Sequence, residues 1–214
     1  MHVARAGVTT ERLTLAAAEL ADEAGFENVT VSALARRFGV KDASLYSHIR
    51  NAQDLRIKVA LLALEELADR VADSLAGRAG KDALVAFANA YRDYAKQHPG
   101  RYAAMQQDLD PETAAASAGG RHAEMTRAIL RGYQLSEPDQ TDAVRMMHST
   151  FHGYVSLERT GGFRHHPRTA DVSWSRTLDA LDTLLRNWPA TSTAVRTPPP
   201  PVSATSDTDL SSPA

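Results

Sequence analysis

Apolar residues recur along this chain at spacings of three and four, and no stretch alternates apolar with polar long enough to read as a strand. The pattern predicts an all-α protein. A first helix runs from Thr9 or Thr10 to about Ala24, with Leu13, Ala17, Leu20 and Ala24 as its apolar stripe. Gly25 stops it, and Phe26 is placed to pack beneath the following turn. Thr30 then opens a second helix with Val31, Leu34 and Phe38 on one face. Gly39 supplies a tight turn, Val40 an apolar plug, and Asp42 a second N-cap for a short helix over 43–48. These helices are too short to stand alone. Leu13, Leu20, Phe26, Val31, Leu34, Phe38, Val40, Leu45 and Ile49 would therefore form one small shared core.

A long helix follows from Ala52 to Leu75, with Leu55, Val59, Leu62, Leu67, Val71 and Leu75 among its apolar positions. Gly77 to Gly80 marks the clearest internal boundary. Helices are then expected over 81–98, 101–109, 121–133 and from Ser136 to about Arg159, with residues 110–120 read as a low-complexity loop. Asp171 is expected to cap a last helix that ends at Trp188. The division predicted is a flexible arm (1–8), a three-helix head (9–51), a connector helix (52–76), a C-terminal helical domain (77–189) and a disordered tail (190–214).

Helix, glycine turn and short second helix form the grammar of the helix-turn-helix, whose second helix enters the DNA major groove. The overall net charge of −2 does not advertise a nucleic-acid partner. Between Arg36 and Lys58, however, six basic residues (Arg36, Arg37, Lys41, Arg50, Arg56, Lys58) face only two acidic ones, Asp42 and Asp54. The chain has no cysteine, and hence no disulfide or thiolate site. Nor does it contain an apolar run of membrane-span length or a signal-peptide core, so a cytoplasmic location without membrane association is expected.

The stretch AAELADEAGFENVTVSALARRFGVKDASLYSHIRNAQDL, and within it GV-x-x-x-S-L-Y-x-H-I from Gly39 to Ile49, resembles the TetR family of bacterial transcriptional regulators. The resemblance implies a two-fold dimer that binds a palindromic operator in double-stranded DNA. It also implies a variable C-terminal helical bundle in which a small molecule releases the repressor. Carried over position by position, Lys41, Asp42, Ala43 and Ser47 match base-facing positions. Ser44, Tyr46 and His48 match backbone contacts, and Thr30 matches a cap beside a phosphate. Ala52 stands where the family often has a lysine, so Arg50 is a candidate replacement, and Arg36 is a further candidate on the preceding helix. Phe151-His152-Gly153 is similar to the Trp-His-Gly motif of one C-terminal domain type, with phenylalanine in place of tryptophan.

Two sets of side chains in the C-terminal half are candidates for function. Phe87, Tyr91, Tyr94, Met105, Met125, Met147, His148, Phe151 and His152 are candidates for an effector pocket suited to an apolar or aromatic molecule, with part of the set expected at its wall and the rest in the core. Val155, Leu178, Leu181, Leu185 and Trp188 are candidates for the homodimer seam, the stripe on the last helix being either that seam or intrachain core. The competing reading is a helical-bundle metal-binding protein or enzyme using His148 and His152, which stand four residues apart on one helical face. It needs a third ligand, such as His122 or Asp108. No nucleophile elbow or phosphate-binding glycine loop supports catalysis, so neither enzyme activity, a cofactor nor a metal is expected.

Overall fold

The computed structural model describes residues 8–189. The expected arm and tail lie outside the described residues, except for Val8, which packs against the head core. The head holds α1 (Thr10–Ala24), a 3-10 turn at Phe26–Asn28, α2 (Val31–Phe38) and a 3-10 segment at Asp42–Ser47. After it come α3 (Ala52–Leu75), α4 (Gly80–Gln97), α5 (Pro99–Ala104), α6 (Pro111–Ala116), α7 (Gly119–Leu130), α8 (Glu137–Arg159) and α9 (Ala170–Arg186). Among the described residues there is no strand, and no helix is long and apolar enough to cross a membrane.

The head forms around local signals that the sequence carries. The Thr9 hydroxyl accepts from the Arg12 amide at 3.2 Å, and the Thr30 hydroxyl accepts from Ala33 at 3.1 Å, so each N-terminus has its cap. Gly39 takes φ +65°, the left-handed conformation that ends α2, and the Val40 amide returns to the Ala35 carbonyl at 3.0 Å. Leu13, Leu34, Leu45 and Leu55 are fully buried in the head core, with Leu20, Phe38 and Val40 packed at its edge. Ala24 is exposed, because the buried face of α1 runs through Ala17, Ala18 and Ala21 instead.

α3 spans two cores. Leu55, Val59 and Ala60 belong to the head, whereas Ala63, Leu67 and Val71 belong to the C-terminal bundle with Phe87, Met147, Phe151 and Trp174. Inside the bundle, buried Arg92 of α4 bonds Glu158 of α8 at 2.8 and 2.5 Å and Asp171 of α9 at 2.7 Å. This joins three helices through one guanidinium, whose planar fork suits two carboxylates.

Three expectations are corrected. Residues 110–120 are not a loop: Asp110 caps α6 by accepting from the Thr113 amide at 3.0 Å, Pro111 opens its first turn, and α7 has begun by Gly119. Alanine-rich low complexity is also good helix sequence, and the cap decides which reading applies. Asp171 is not the cap of α9; Thr169 is, which frees Asp171 in the first turn to meet Arg92. The helix expected over 101–109 starts instead at Pro99 and ends at Ala104.

Candidate nucleic-acid interface and ligand cavity

The segment after Gly39 closes as a 3-10 helix rather than the expected α-helix. The Ser44 amide bonds the Lys41 carbonyl and the His48 amide bonds the Leu45 carbonyl, both at 2.9 Å across three residues. Leu45 is the buried anchor; Lys41, Asp42, Ala43, Ser44, Tyr46 and Ser47 are exposed around it, and His48 is half-buried. Tyr46 is 54% exposed, so it is a surface group and not a core aromatic. The Ser47 hydroxyl donates to the Ser44 carbonyl at 2.9 Å and keeps its own lone pairs free to accept. Asp42 does not cap its helix, since no side chain caps this segment; its carboxylate accepts from the Ser32 hydroxyl and ties the turn to α2. The Thr10 hydroxyl donates to the His48 carbonyl at 3.2 Å, fixing the end of the segment to α1.

The basic cluster divides into structural and available charges. Arg37 bonds Glu19 and Glu23 of α1 at 2.7 Å each, so it fastens α2 to α1 rather than standing solvated. Arg56 lies 4.3 Å above the Phe26 ring. Lys58 and Arg50 share Asp54 at 3.4 and 3.3 Å, but the Arg50 side chain is 87% exposed and only loosely held. Lys41, Arg36 and Arg50 are thus the exposed cations beside the 3-10 segment. Asp54 also accepts from the Arg50 amide at 3.0 Å, while Asn51 caps α3 by accepting from the Asp54 amide at 2.8 Å.

In the C-terminal bundle a cavity of about 260 Å³ lies between α3, α4, α7 and α8. Leu64 and Leu67 of α3, Tyr91 of α4, Met105 and Gln106 beyond α5, Gly119 and His122 of α7, and His148 and His152 of α8 line it. Four of the nine expected pocket residues, Tyr91, Met105, His148 and His152, are therefore brought together. The other five lie outside its lining: Phe87, Tyr94, Met147 and Phe151 are buried in the core, and Met125 is packed at its edge. Helical spacing put them on the inward faces, but it cannot distinguish a packed wall from an open one. Leu64, Leu67 and Gln106 escape a sequence reading because only the approach of α3 and of the end of α5 makes them neighbours. His122 carries a signal, a histidine among the apolar positions of α7, although the sequence admitted it only as a metal ligand.

A polar chain runs along one side of this cavity. Tyr91 Oη lies 3.0 Å from Tyr102 Oη, which lies 2.7 Å from His152 Nδ1. On the other side His122 Nε2 donates to the Leu64 carbonyl of α3 at 3.2 Å. His148 stacks on Phe87 with centroids 6.3 Å apart, and its buried Nε2 has no hydrogen-bond partner. Burial pushes the His122 and His148 imidazoles below the ordinary histidine range, favouring their neutral forms. Among the described residues no group of three His, Cys, Asp or Glu could hold a metal ion, so the His148–His152 pair lacks the third ligand that the metal reading required.

The leucines expected at a dimer seam face inward within one chain. Val155, Leu178, Leu181 and Leu185 are buried, and Trp188 packs against the same core. The large apolar side chains exposed on α8 and α9 are instead Leu157, Val172 and Leu184.

Comparison with known proteins bears on both halves. Residues 13–58 match the model for bacterial regulatory proteins of the tetR family, and residues 84–181 match that for a tetracyclin repressor-like C-terminal domain. The HTH-type transcriptional regulator Rv0681 of Mycobacterium tuberculosis is 37% identical over 73% of this chain and 72% of its own length. The crystal structure of the TetR-family regulator PfmR from Thermus thermophilus superposes with a TM-score of 0.59 at 26% identity, covering 84% of this chain and 96% of that one. ActR of Streptomyces coelicolor, solved in complex with (S)-DNPA, shares the fold with a TM-score of 0.60 at 16% identity, over 84% of this chain and 98% of its own. The chain belongs to the TetR family of DNA-binding, ligand-responsive transcriptional regulators.

Proposed function

We propose that this protein is a repressor that grips a near-palindromic operator as a homodimer and is released by a small molecule bound in the cavity between α3, α4, α7 and α8. One observation carries the reading: α3 and α5 connect the cavity region with the head core. Leu64 and Leu67 of α3 line the cavity, while Leu55, Val59 and Ala60 of the same helix pack in the head. The short helix α5 makes a second bridge, with Ala104 buried in the head core and Tyr102 bonded to Tyr91 and His152 at the cavity. A ligand that moves α3 or α5 therefore moves the head. ActR, which shares this fold, has been solved in complex with (S)-DNPA.

In this reading the two 3-10 segments enter successive major grooves, with Lys41 donating to guanine and Ser47 reading an adjacent edge. Ser44, Tyr46, His48, Thr30, Arg36 and Arg50 hold the phosphate backbone. Asp42, bonded to Ser32, orients the segment, and Ala43 allows close approach to the bases. The dimer seam lies on the outward faces of α8 and α9, around Leu157, Val172 and Leu184. The effector has to bind the free form more tightly than the DNA-bound form by the same factor by which it weakens operator binding, typically about 5–150-fold. The test is selection of bound DNA from a random pool, followed by titration of compounds into the complex. Full operator affinity in protein saturated with a cavity ligand would exclude induction.

A further inference from the structure

The lining of the cavity restricts what can occupy it. Among the described residues that form its wall none is Asp, Glu, Lys or Arg. An ammonium group would find no counter-charge in this wall, and a carboxylate would meet no fixed cation. Leu64, Leu67 and Met105 offer apolar contact, and Tyr91 offers an aromatic edge. The volume of about 260 Å³ falls below the ~300–1,000 Å³ range of sites for drug-sized ligands. The occupant is therefore compact.

The wall also has an unmet polar requirement. His148 Nε2 is buried without a partner, and the ring lies nearly parallel to that of Phe87. A buried polar atom left unpaired is costly, and in this fold it sits on a residue that lines the cavity. A neutral imidazole nitrogen is either donor or acceptor according to tautomer, and a hydroxyl answers both. A carbonyl answers only the donor form. Of the other polar side chains of the wall, His122 is engaged with the Leu64 carbonyl, Tyr91 and His152 are engaged through Tyr102, and Gln106 is exposed to solvent.

We infer that this cavity takes a small uncharged aromatic hydroxyl compound, a phenol or aryl alcohol, with its ring against Leu64, Leu67 and Met105 and its hydroxyl at His148. The inference rests on the reading of the cavity as the effector site and narrows it to one chemical class. The test is calorimetric titration of the full chain, without DNA, using phenol, benzoate and benzylammonium near neutral pH. Phenol is expected to bind about tenfold more tightly than either ion, and His148→Phe, which keeps the stack on Phe87, is expected to lose about tenfold. Met105→Trp, which fills the cavity from another side, should also abolish phenol binding and serves if His148→Phe lowers the melting temperature. Benzoate or benzylammonium binding as tightly as phenol, unchanged phenol affinity in folded His148→Phe, or no binding of phenol at millimolar concentration would each overturn the inference. Phenol binding that leaves the DNA complex intact would overturn induction and leave the ligand class standing. Release of DNA by benzoate through the same cavity would do the reverse.

Discussion

The carboxylate of Asp22, near the end of α1, accepts from the backbone amide of Gly100 at 2.9 Å and so caps a helix of the other domain. The Arg101 amide donates to the same oxygen at 2.9 Å, and the Arg101 guanidinium and His98 ring lie 3.1 Å from the second oxygen. α5 has no capping side chain of its own, so its orphan amides are satisfied from the head. Arg101 continues the link to Glu66 of α3 at 3.0 Å, and Tyr94 donates to Glu66 at 2.9 Å. Head, connector and α5 are thus linked through Arg101, which spans the carboxylates of Asp22 and Glu66.

That contact depends on glycine for space and on aspartate for charge. A Cβ at Gly100 would stand 1.9 Å from the Ala21 carbonyl oxygen, a backbone atom that cannot move alone. Gly100→Ala is expected to part α1 from α5, lowering both stability and operator affinity. Asp22→Ala removes the cap without crowding and should cost about 1–3 kcal/mol. Urea unfolding and fluorescence anisotropy on the operator check both. Wild-type behaviour of both variants would show that the link is dispensable.

Within the head, the exposed residues divide by what they contact. Lys41→Ala is expected to relax preference at one base step, costing about 1–3 kcal/mol there. Tyr46→Phe should weaken binding to all sequences alike. Profiling each variant against a randomised operator separates the two outcomes, and uniform loss in both would make Lys41 a phosphate contact.

The basic residues should differ in their dependence on salt. Arg50→Ala and Arg36→Ala are each expected to lower the slope of log affinity against log salt by about one. Arg37→Ala should leave that slope unchanged, because Arg37 is occupied by Glu19 and Glu23. Its effect should emerge instead as a small loss of stability, roughly 0–1 kcal/mol for each surface pair removed. Salt titrations of operator binding and thermal melts measure the contrast.

Stability should fall in acid for an identifiable reason. Its hydrogen bond with Arg92 holds the Glu158 carboxyl below the usual carboxylate range, against the opposing effect of burial. A depressed folded value means that this stabilisation is complete above the unfolded glutamate range and is lost as pH falls through the folded value. Glu158→Gln is expected to melt lower at neutral pH, by about 2–4 °C for each kcal/mol lost, and to show a shallower decline in acid. Thermal melts from neutral pH downward check the slope.

The amino-acid sequence determined the class of protein because its signals are local. The Thr30 cap, the Gly39 turn, the anchor Leu45 and the span of α3 from Ala52 to Leu75 each depend on a few neighbouring residues, and the fold keeps all four. Tertiary structure decided what depends on elements distant in sequence. Whether Phe151 lines a cavity or a core, whether Leu181 faces a partner or its own chain, and whether Arg37 is free or paired all depend on where other helices arrive. Helical periodicity marks an inward face without stating what lies across from it. The same holds for His148: sequence spacing paired it with His152, but only packing left its Nε2 buried and unpartnered beside a cavity wall without fixed charge.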